Sequence, residues 1–281
     1  LKVAMSAICT LVVPAYNAED FLEATLESVR NQTLHNFLCL IVDDSSTDRT
    51  SDIAAQYARR DPRFSIIRHQ ANSGLSAARN TGLRAVTTRY VAFLDSDDLL
   101  MRESLALRVD ACEQARHDPL TIGAYCASMT ITETRKSIPK LAPRQLPEVS
   151  FLSVAGDCPF NANQPMCVTD RLRRLGGFNE RFTQAEDYEL WTRVLRAGYR
   201  FRSVHFIAVT YRRRRGSMVR QRPLNHLTEA LALNASAHVA LPSWVSFDSD
   251  AQPFACAYSA YREASDVASR TLSFFAMSAG R

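Results

Sequence analysis

Three aspartates within four residues could bind a metal ion. Asp95, Asp97 and Asp98 directly follow the apolar run Val91–Leu94. Carboxylates this close repel one another unless a cation or hydrogen-bond donors offset their charge. Mg²⁺ and Mn²⁺ prefer such hard oxygen ligands, and Mg²⁺ takes only one or two protein carboxylates beside phosphate oxygens and water. The cluster therefore predicts a metal that binds a diphosphate; the alternative is that one Asp simply caps the next helix.

Polar side chains of other types follow three further apolar runs. The carboxylate of Asp43 or Asp44 could accept a hydrogen bond from the N–H of a nucleobase such as uracil, and the ring of Tyr16 could stack on that base. The guanidinium of Arg79 could bind a phosphate with two hydrogen bonds. The alternatives are ordinary turn residues for the aspartates, an ordinary core or rim position for Tyr16 and a surface ion pair for Arg79.

A second acidic group opens a helix-like stretch later in the chain. Glu186 and Asp187 are candidates for a general base, which must be ionised and within hydrogen-bond reach of an acceptor hydroxyl. A carboxylate in a first helical turn can instead only complement the helix dipole. Trp191 is a candidate platform for a sugar or a core residue. The run Arg212–Arg215 is either a solvated face or a site for a diphosphate or anionic lipid head groups.

The elements that must position these residues alternate in the first hundred positions. Short apolar runs bounded by turn residues predict buried strands, and the stretches between them have helical periodicity. This alternation predicts an α/β fold with a mostly parallel central sheet flanked by helices, whose carboxyl edge collects the polar clusters. The predicted strands are Ile8–Val13, Phe37–Val42, Phe64–Arg68 and Tyr90–Leu94, and the predicted helices are Asp20–Asn31, Thr50–Arg60 and Leu75–Ala85.

The pattern is less regular beyond Asp98. Five prolines between Glu133 and Pro165 predict an irregular segment. The end of the chain is rich in Ala and Ser and predicts a mainly helical extension. The predicted elements are a helix at Arg102–Gln114, a strand at Leu120–Met129, a helix at Glu186–Ala197, strands at Phe201–Ala208 and Val209–Arg212, and helices at Leu224–Ala240 and Ala255–Phe275.

Composition excludes several classes of protein. The chain has 281 residues, of which 46% are hydrophobic and 22% charged, so it is not wholly disordered, collagen-like or a coiled coil. Its net charge of +5 is too small by itself to predict nucleic-acid binding. The seven cysteines are odd in number and include no CxxC pair, which favours reduced thiols and a cytoplasmic location. Neither a signal peptide nor a membrane span is expected.

Taken together, these motifs resemble the family 2 glycosyltransferases, which are inverting enzymes with a GT-A fold. The resemblance extends from about Ile8 to Ser217 and is specific for the family but not for the sugar. The Gln-x-x-Arg-Trp motif of processive synthases is absent, which favours a non-processive enzyme. The matching segments are Val12–Asn17, Val42–Thr50, Asn72–Asn80, Phe93–Asp98, Gly177–Glu180 and Glu186–Trp191.

The resemblance implies a role for individual residues and a reaction. A sugar would move from a nucleotide sugar, most simply a UDP-sugar, to an acceptor hydroxyl, with Mn²⁺ or Mg²⁺ on the leaving diphosphate. Glu186, Trp191 and Arg212 are candidates for acceptor or phosphate contacts. The implied roles are uridine binding for Pro14, Tyr16 and Asp44, a position near base and phosphates for Arg79, the nucleotide part of the DxD motif for Asp95 and Ser96, the metal ligand for Asp97, and the catalytic base for Asp187.

These expectations define one organisation and three hypotheses. Residues 1–220 would form the GT-A domain, with a nucleotide-binding half at 1–100 and an acceptor-binding half at 101–220, and residues 221–281 the extension.

The first hypothesis is a transferase of surface polysaccharide or glycoconjugate synthesis, with a glycan or lipid-linked acceptor and a peripheral membrane contact through the basic run. The alternatives are a non-catalytic nucleotide- or glycan-binding relative and a sugar-nucleotide pyrophosphorylase, whose glycine- and lysine-rich loop is absent after the first strand.

Overall fold

Parallel strands and covering helices alternate in the first half of the fold. The structure, a computed structural model, describes residues 7–132, 137–138, 149 and 160–213. Each strand is a short apolar run, and each helix turns an apolar face to the sheet. The elements are β1 (Cys9–Ala15), α1 (Leu22–Arg30), β2 (Phe37–Asp43), α2 (Thr50–Arg60), β3 (Phe64–Arg68), α3 (Leu75–Ala85) and β4 (Tyr90–Phe93).

The second half adds strands of both directions to the same sheet. Its elements are β5 (Leu99–Leu100), α4 (Ser104–Gln114), β6 (Thr121–Thr132), β7 (Ser137–Ile138), β8 (Pro165–Val168), α5 (Thr169–Arg174), α6 (Glu186–Arg196) and β9 (Arg200–Arg213). The described strands form one nine-stranded sheet in the order β3-β2-β1-β4-β8-β6-β9-β5, with β7 paired to β6. Strand β8 runs antiparallel to both β4 and β6, and β6 and β9 are parallel. The predicted α/β fold is confirmed; antiparallel pairs make the sheet mixed.

The parallel register brings the ends of four strands, β1 to β4, to one edge of the sheet, with Asp43 of β2 beside Arg68 of β3. Residue Ala15 of β1 lies beside Asp43 of β2, and Val12 lies beside Phe93 of β4. The turns that follow β1, β2 and β4 therefore start next to one another, as expected for ligand-binding edges of open α/β sheets. This edge carries the polar clusters that the sequence singled out.

Two apolar clusters cover the two faces of the sheet and span both halves of the chain. One cluster combines Val13 and Ala92 of the parallel strands with Ala124 of β6 and Val209 of β9. The other combines Val12 and Phe93 with residues of α6, including Trp191. Five cysteines in the described ranges are buried free thiols, in agreement with the predicted absence of disulfides.

The elements differ from the predicted ones in a few places. The two strands predicted at Phe201–Ala208 and Val209–Arg212 are one strand, β9, whose pairing with β6 shifts register at three points. Strand β8 begins at the last residue of the predicted irregular segment, Pro165. A proline is tolerated at the first position of a strand because it does not need to donate a ladder hydrogen bond there. Among the described residues, no helix is both long and apolar enough to cross a membrane. The predicted extension over 221–281 lies outside the described residues.

Candidate active site

A buried arginine joins the two halves of the candidate site. Arg79, on the second turn of α3, is 2% exposed. Its Nη2 donates to Asp95 Oδ1 after β4, and its Nη1 donates to Glu186 Oε1 at the start of α6, each at 2.6 Å. Arg79 is therefore not the surface ion pair that the sequence left open. Its planar fork holds the acidic loop of one half against the first turn of a helix from the other.

Negative charge exceeds positive charge around this guanidinium. Asp187 lies next to Glu186 and is partly exposed, and its Oδ1 accepts the Tyr188 N–H at 2.7 Å. Burial and the charge of Glu186 raise the pKa of Asp187 to about 7, whereas Arg79 opposes the shift. The second oxygen of Glu186, Oε2, is buried without a hydrogen-bond partner. A carboxyl group with a pKa near neutrality is suited to accept and release a proton.

Protein donors hold the Asp95 and Asp98 carboxyl groups of the acidic loop after β4. Asp98 is fully buried; its Oδ1 accepts the Arg212 N–H at 2.8 Å and its Oδ2 accepts Asn163 Nδ2 at 2.5 Å. Burial and the charges of Asp95 and Asp97 raise the pKa of Asp98 well above its usual value. Asp95 is bound by Arg79 and by Asn163. Asp97, the metal ligand that the family resemblance implies, is half-buried at the same edge.

The described residues contain no group of three or more His, Cys, Asp or Glu side chains placed to hold a metal. A preformed protein cage is thus not part of the described structure. One carboxylate beside a diphosphate is nonetheless a donor set that Mg²⁺ accepts, because water and phosphate oxygens complete its coordination. The single residue Asp97 fits that arrangement.

The carboxylate of Asp44 organises the start of α3. Its Oδ2 accepts the Gly74 N–H at 2.7 Å, and its Oδ1 accepts the Ser73 N–H at 2.9 Å and lies 2.7 Å from His69 Nδ1. Gly74 has a φ of 90°, a conformation that a side chain would strain. An ionised carboxylate offers about four acceptor positions, so three protein donors leave room for one more hydrogen bond.

Tyr16 lies beside Asp44 on the open side of this edge. The Asp44 N–H donates to the Ala15 carbonyl oxygen at 2.8 Å, which brings the two residues together, and Tyr16 is 50% exposed. Pro14 is buried within β1, two residues before Tyr16. Ser96 lies in the acidic loop, where its carbonyl oxygen accepts Thr25 Oγ1 at 2.8 Å. The exposed ring of Tyr16 is free to stack on a planar ligand.

Two of the predicted contact residues have their side chains against aromatic rings of the protein. Trp191 is fully buried, with its ring against Phe160 and Phe201, so the structure does not bring it into the site. Arg212 reaches the acidic loop through its backbone, while its guanidinium lies over the ring of Phe21 at 5.3 Å. Of the rest of the basic run, Arg213 ends β9, and Arg214 and Arg215 lie outside the described residues.

The sequence did not single out three residues that shape the site. Asn163 contacts two carboxylates, Arg108 holds the segment of Asn163, and His69 contacts Asp44. Asn163 lies in a proline-rich stretch without periodicity, and Arg108 looks like an ordinary polar position of a helix. Only His69, directly after β3 at the ligand-binding edge, carries a positional signal that sequence reasoning could have used.

Known proteins with similar sequences include glycosyltransferases. The chain is 39% identical over 121 residues to an uncharacterised glycosyltransferase, EpsJ, of Bacillus subtilis. The aligned region covers 43% of this chain and only 35% of EpsJ. It is 30% identical over 213 residues to WfaP of Escherichia coli, a UDP-Glc:alpha-D-GlcNAc-diphosphoundecaprenol beta-1,3-glucosyltransferase, covering 75% of this chain and 79% of WfaP.

A solved structure has the same fold. The structure of S. aureus TarS 1-349 in complex with UDP-GlcNAc aligns with a TM-score of 0.67 and 22% identity, over 82% of this chain and 66% of that chain. The family model "Glycosyl transferase family 2" matches residues 10–164, more than half of the chain. The matched region includes β1 to β4, the acidic loop and Asn163. On this evidence the chain belongs to glycosyl transferase family 2.

Proposed function

We propose that this protein is an inverting, non-processive, metal-dependent glycosyltransferase. It would move a sugar from a UDP-sugar to an acceptor hydroxyl in the synthesis of a surface polysaccharide or glycoconjugate. The observation that carries the proposal is the pair of ion pairs from Arg79 to Asp95 and Glu186, each 2.6 Å long. They bring a nucleotide-type edge and an acidic helix start, which are far apart in the chain, to one place.

In this proposal the two ends of the edge have different tasks. Tyr16 would stack on the base and Asp44 would accept a base N–H, since its carboxylate has one acceptor position left. Asp95 would lie near the ribose. Asp187 would take the proton of the acceptor hydroxyl as that oxygen bonds to the anomeric carbon and the bond to the UDP oxygen breaks. Attack opposite the leaving group inverts the configuration at that carbon.

A metal ion would be held by Asp97 together with the diphosphate. Bound Mn²⁺ or Mg²⁺ supplies positive charge that stabilises the departing diphosphate. The carboxylates of Asp95, Asp97 and Glu186 lie near this edge together with the carboxyl groups of Asp98 and Asp187, whose pKa values are raised, and Arg79 pairs with two of the five. Such an excess of negative charge would otherwise repel a diphosphate, which supports the metal requirement.

The acceptor is proposed from relatives and from chemistry. The name of WfaP gives that enzyme a sugar on diphosphoundecaprenol as its acceptor. A lipid-linked glycan of this class is the acceptor we propose here, with peripheral membrane contact through the run Arg212–Arg215. Anionic lipid head groups attract such a run, and salt weakens that attraction.

The test combines turnover and nucleotide binding. Purified protein is incubated with UDP-, GDP-, dTDP- and CMP-sugars, with Mn²⁺ or with EDTA, and with a short-chain lipid-diphosphate GlcNAc as acceptor. We expect consumption of a UDP-sugar with Mn²⁺ only, and a product of inverted anomeric configuration by NMR. Asp97→Ala should abolish turnover. Asp187→Asn should lower it about 10²–10⁴-fold, the usual contribution of a positioned base, while UDP affinity stays within about twofold.

Asp52→Asn, an exposed change on α2, is the matched control and should leave turnover unchanged. UDP binding without turnover of any sugar donor would favour the non-catalytic alternative. Undiminished turnover by Asp187→Asn would show that Asp187 is not the catalytic base. Absence of nucleotide binding in calorimetry would overturn the proposal as a whole.

A further inference from the structure

We propose that Asn163 is the positioning residue that sets the geometry of the acidic loop, residues 95–98, for metal and diphosphate. The inference rests on the proposed nucleotide-sugar function. Asn163 is fully buried, lies two residues before β8 and comes from the second half of the chain. It contacts the loop through its side chain.

The amide of Asn163 uses both of its ends on the loop. Its Oδ1 accepts the Asp95 N–H at 2.9 Å. Its Nδ2 donates to Asp95 Oδ2 at 3.2 Å and to Asp98 Oδ2 at 2.5 Å. The two N–H groups of one amide thus bridge two carboxylates, while its oxygen fixes the backbone between the strand and the loop.

Other polar side chains of similar size cannot make this set of bonds. An ionised Asp has no donor and would add a third carboxylate facing two others. A Ser hydroxyl has a single hydrogen to donate and is too short to span both acids. The three contacts therefore specify an amide of the length of Asn.

A buried cation fixes the backbone of Asn163 from behind. Arg108 of α4 is fully buried, and its Nη1 donates to the carbonyl oxygens of Asn163 at 3.1 Å and Gln164 at 3.4 Å. Its Nε and Nη2 donate to the backbone oxygen and Oγ of Ser104. A charge buried among fixed acceptors is costly to move, so the Asn163 side chain starts from a rigid base.

The position of Asp97 depends on this clamp because it lies between the two bridged carboxylates. Asp95 has a second anchor in Arg79, and Asp98 has one in the Arg212 N–H. Without the Asn163 amide the loop would therefore keep its general path, but the spacing between its carboxyl groups would change. Partners of metal-binding side chains commonly contribute about 10–100-fold to metal affinity.

The experiment measures the gain in UDP affinity that Mn²⁺ produces, by calorimetry with Mn²⁺ and with EDTA, in the folded 281-residue chain. We expect Asn163→Ala to lower that gain about 10–100-fold. UDP affinity in EDTA should stay within about threefold, since the base end of the site and the Arg79 contact to Asp95 are untouched. Asn163→Ser, which leaves a smaller cavity, should behave alike and replaces Asn163→Ala if that variant does not fold.

The matched control is Gln164→Ala, next in the chain. Gln164 is also buried, donates to the Cys126 carbonyl oxygen at 2.7 Å and accepts the Asn161 N–H at 3.0 Å, but does not touch the acidic carboxylates. If the role of Asn163 were purely structural, Asn163→Ala and Gln164→Ala would behave alike. UDP affinity would then fall equally in Mn²⁺ and in EDTA, or would not fall at all. An unchanged Mn²⁺-dependent gain in Asn163→Ala would overturn the inference alone. Failure of the unmodified protein to bind UDP would overturn the proposed function as well.

Discussion

At the scale of single residues, the site combines groups whose properties depend on their neighbours. Asp187 is an ordinary carboxyl group by type, yet burial and the adjacent Glu186 bring its pKa to about 7. Arg79 opposes this shift while its own fork is occupied by Asp95 and Glu186. As the proposed base, Asp187 must be ionised to act, so its environment makes the reaction sensitive to pH.

Transfer should therefore lose rate as the pH falls through about 7, because protonation removes the base. Glu186→Gln removes the neighbouring negative charge and leaves Arg79 less neutralised. Both changes lower the pKa of Asp187, so the acid limb of the kcat/KM profile should move to lower pH. The measurement is the profile of both proteins between pH 5 and pH 9.

Glu189→Gln is the control on the same helix. Glu189 pairs with Arg193 at 2.7 Å and is not among the causes of the Asp187 shift. The acid limb of this variant should coincide with that of the unmodified protein. A Glu186→Gln profile that stays in place, or moves to higher pH, would contradict the electrostatic argument.

At the scale of elements, the close contact of α3 with β1 brings Arg79 to the edge. Gly82 of α3 faces Val12, and a Cβ at this position would overlap Val12 Cγ1. Glycine costs helix stability, so its presence here is explained by the close approach rather than by propensity. Gly74, directly before the same helix, donates its N–H to Asp44 after β2, so α3 contacts the sheet region both at its start and at Gly82.

Gly82→Ala should destabilise the protein by about 1–3 kcal/mol, the usual cost of overpacking, although alanine is the better helix former. Val12→Ala removes the overlapping methyl groups. The double variant should then be more stable than the sum of the single effects implies, with a coupling of about 0.5–3 kcal/mol. Urea unfolding of the four proteins measures this cycle.

Val42→Ala provides the comparison cycle. Val42 is fully buried in the same apolar cluster but is not among the nearest atoms to a Cβ at Gly82. Its effect should add to that of Gly82→Ala within about 0.5 kcal/mol. Equal coupling free energies in both cycles would show that the contact between α3 and Val12 is not the cause of the coupling.

At the scale of the whole molecule, one sheet connects the two halves. Strand β8 pairs with β4 of the first half, Val91 beside Cys167, and with β6 of the second. Each apolar cluster also draws residues from both halves. The predicted functional halves at 1–100 and 101–220 are thus joined in the described residues by backbone pairing and by shared core.

The central strands of both halves should consequently open together. We expect amides of β1 and β6 to exchange hydrogen through one global unfolding event, with opening free energies within about 1 kcal/mol of each other. The edge strand β3, which is partly exposed, should exchange through smaller openings. Hydrogen exchange with peptide resolution makes the measurement, and a β6 that opens several kcal/mol more easily than β1 would contradict the shared core.

The sequence by itself determined the strands and helices of the first half and the residues at their ends. Apolar runs and helical periodicity are local patterns, and parallel strands must bring their carboxyl ends to one edge. The same patterns failed for β8 and for the single strand β9, because a short strand after prolines and a strand with register shifts have little periodicity. The segment 221–281 lies outside the described residues, and its predicted helices stay predictions.

Only the tertiary structure decided how the site is held together. The contacts of Arg79 with Glu186 and of Asn163 with Asp98 join residues that are 107 and 65 positions apart. No local pattern encodes such pairs, because an Arg on a helix and an Asn in a loop are ordinary at the level of sequence. Burial in a shared core is a property of the whole fold. It makes Arg79 a buried bridge and removes Trp191 from the ligand-binding edge, whereas desolvation at the edge itself and the charge of Glu186 raise the pKa of Asp187.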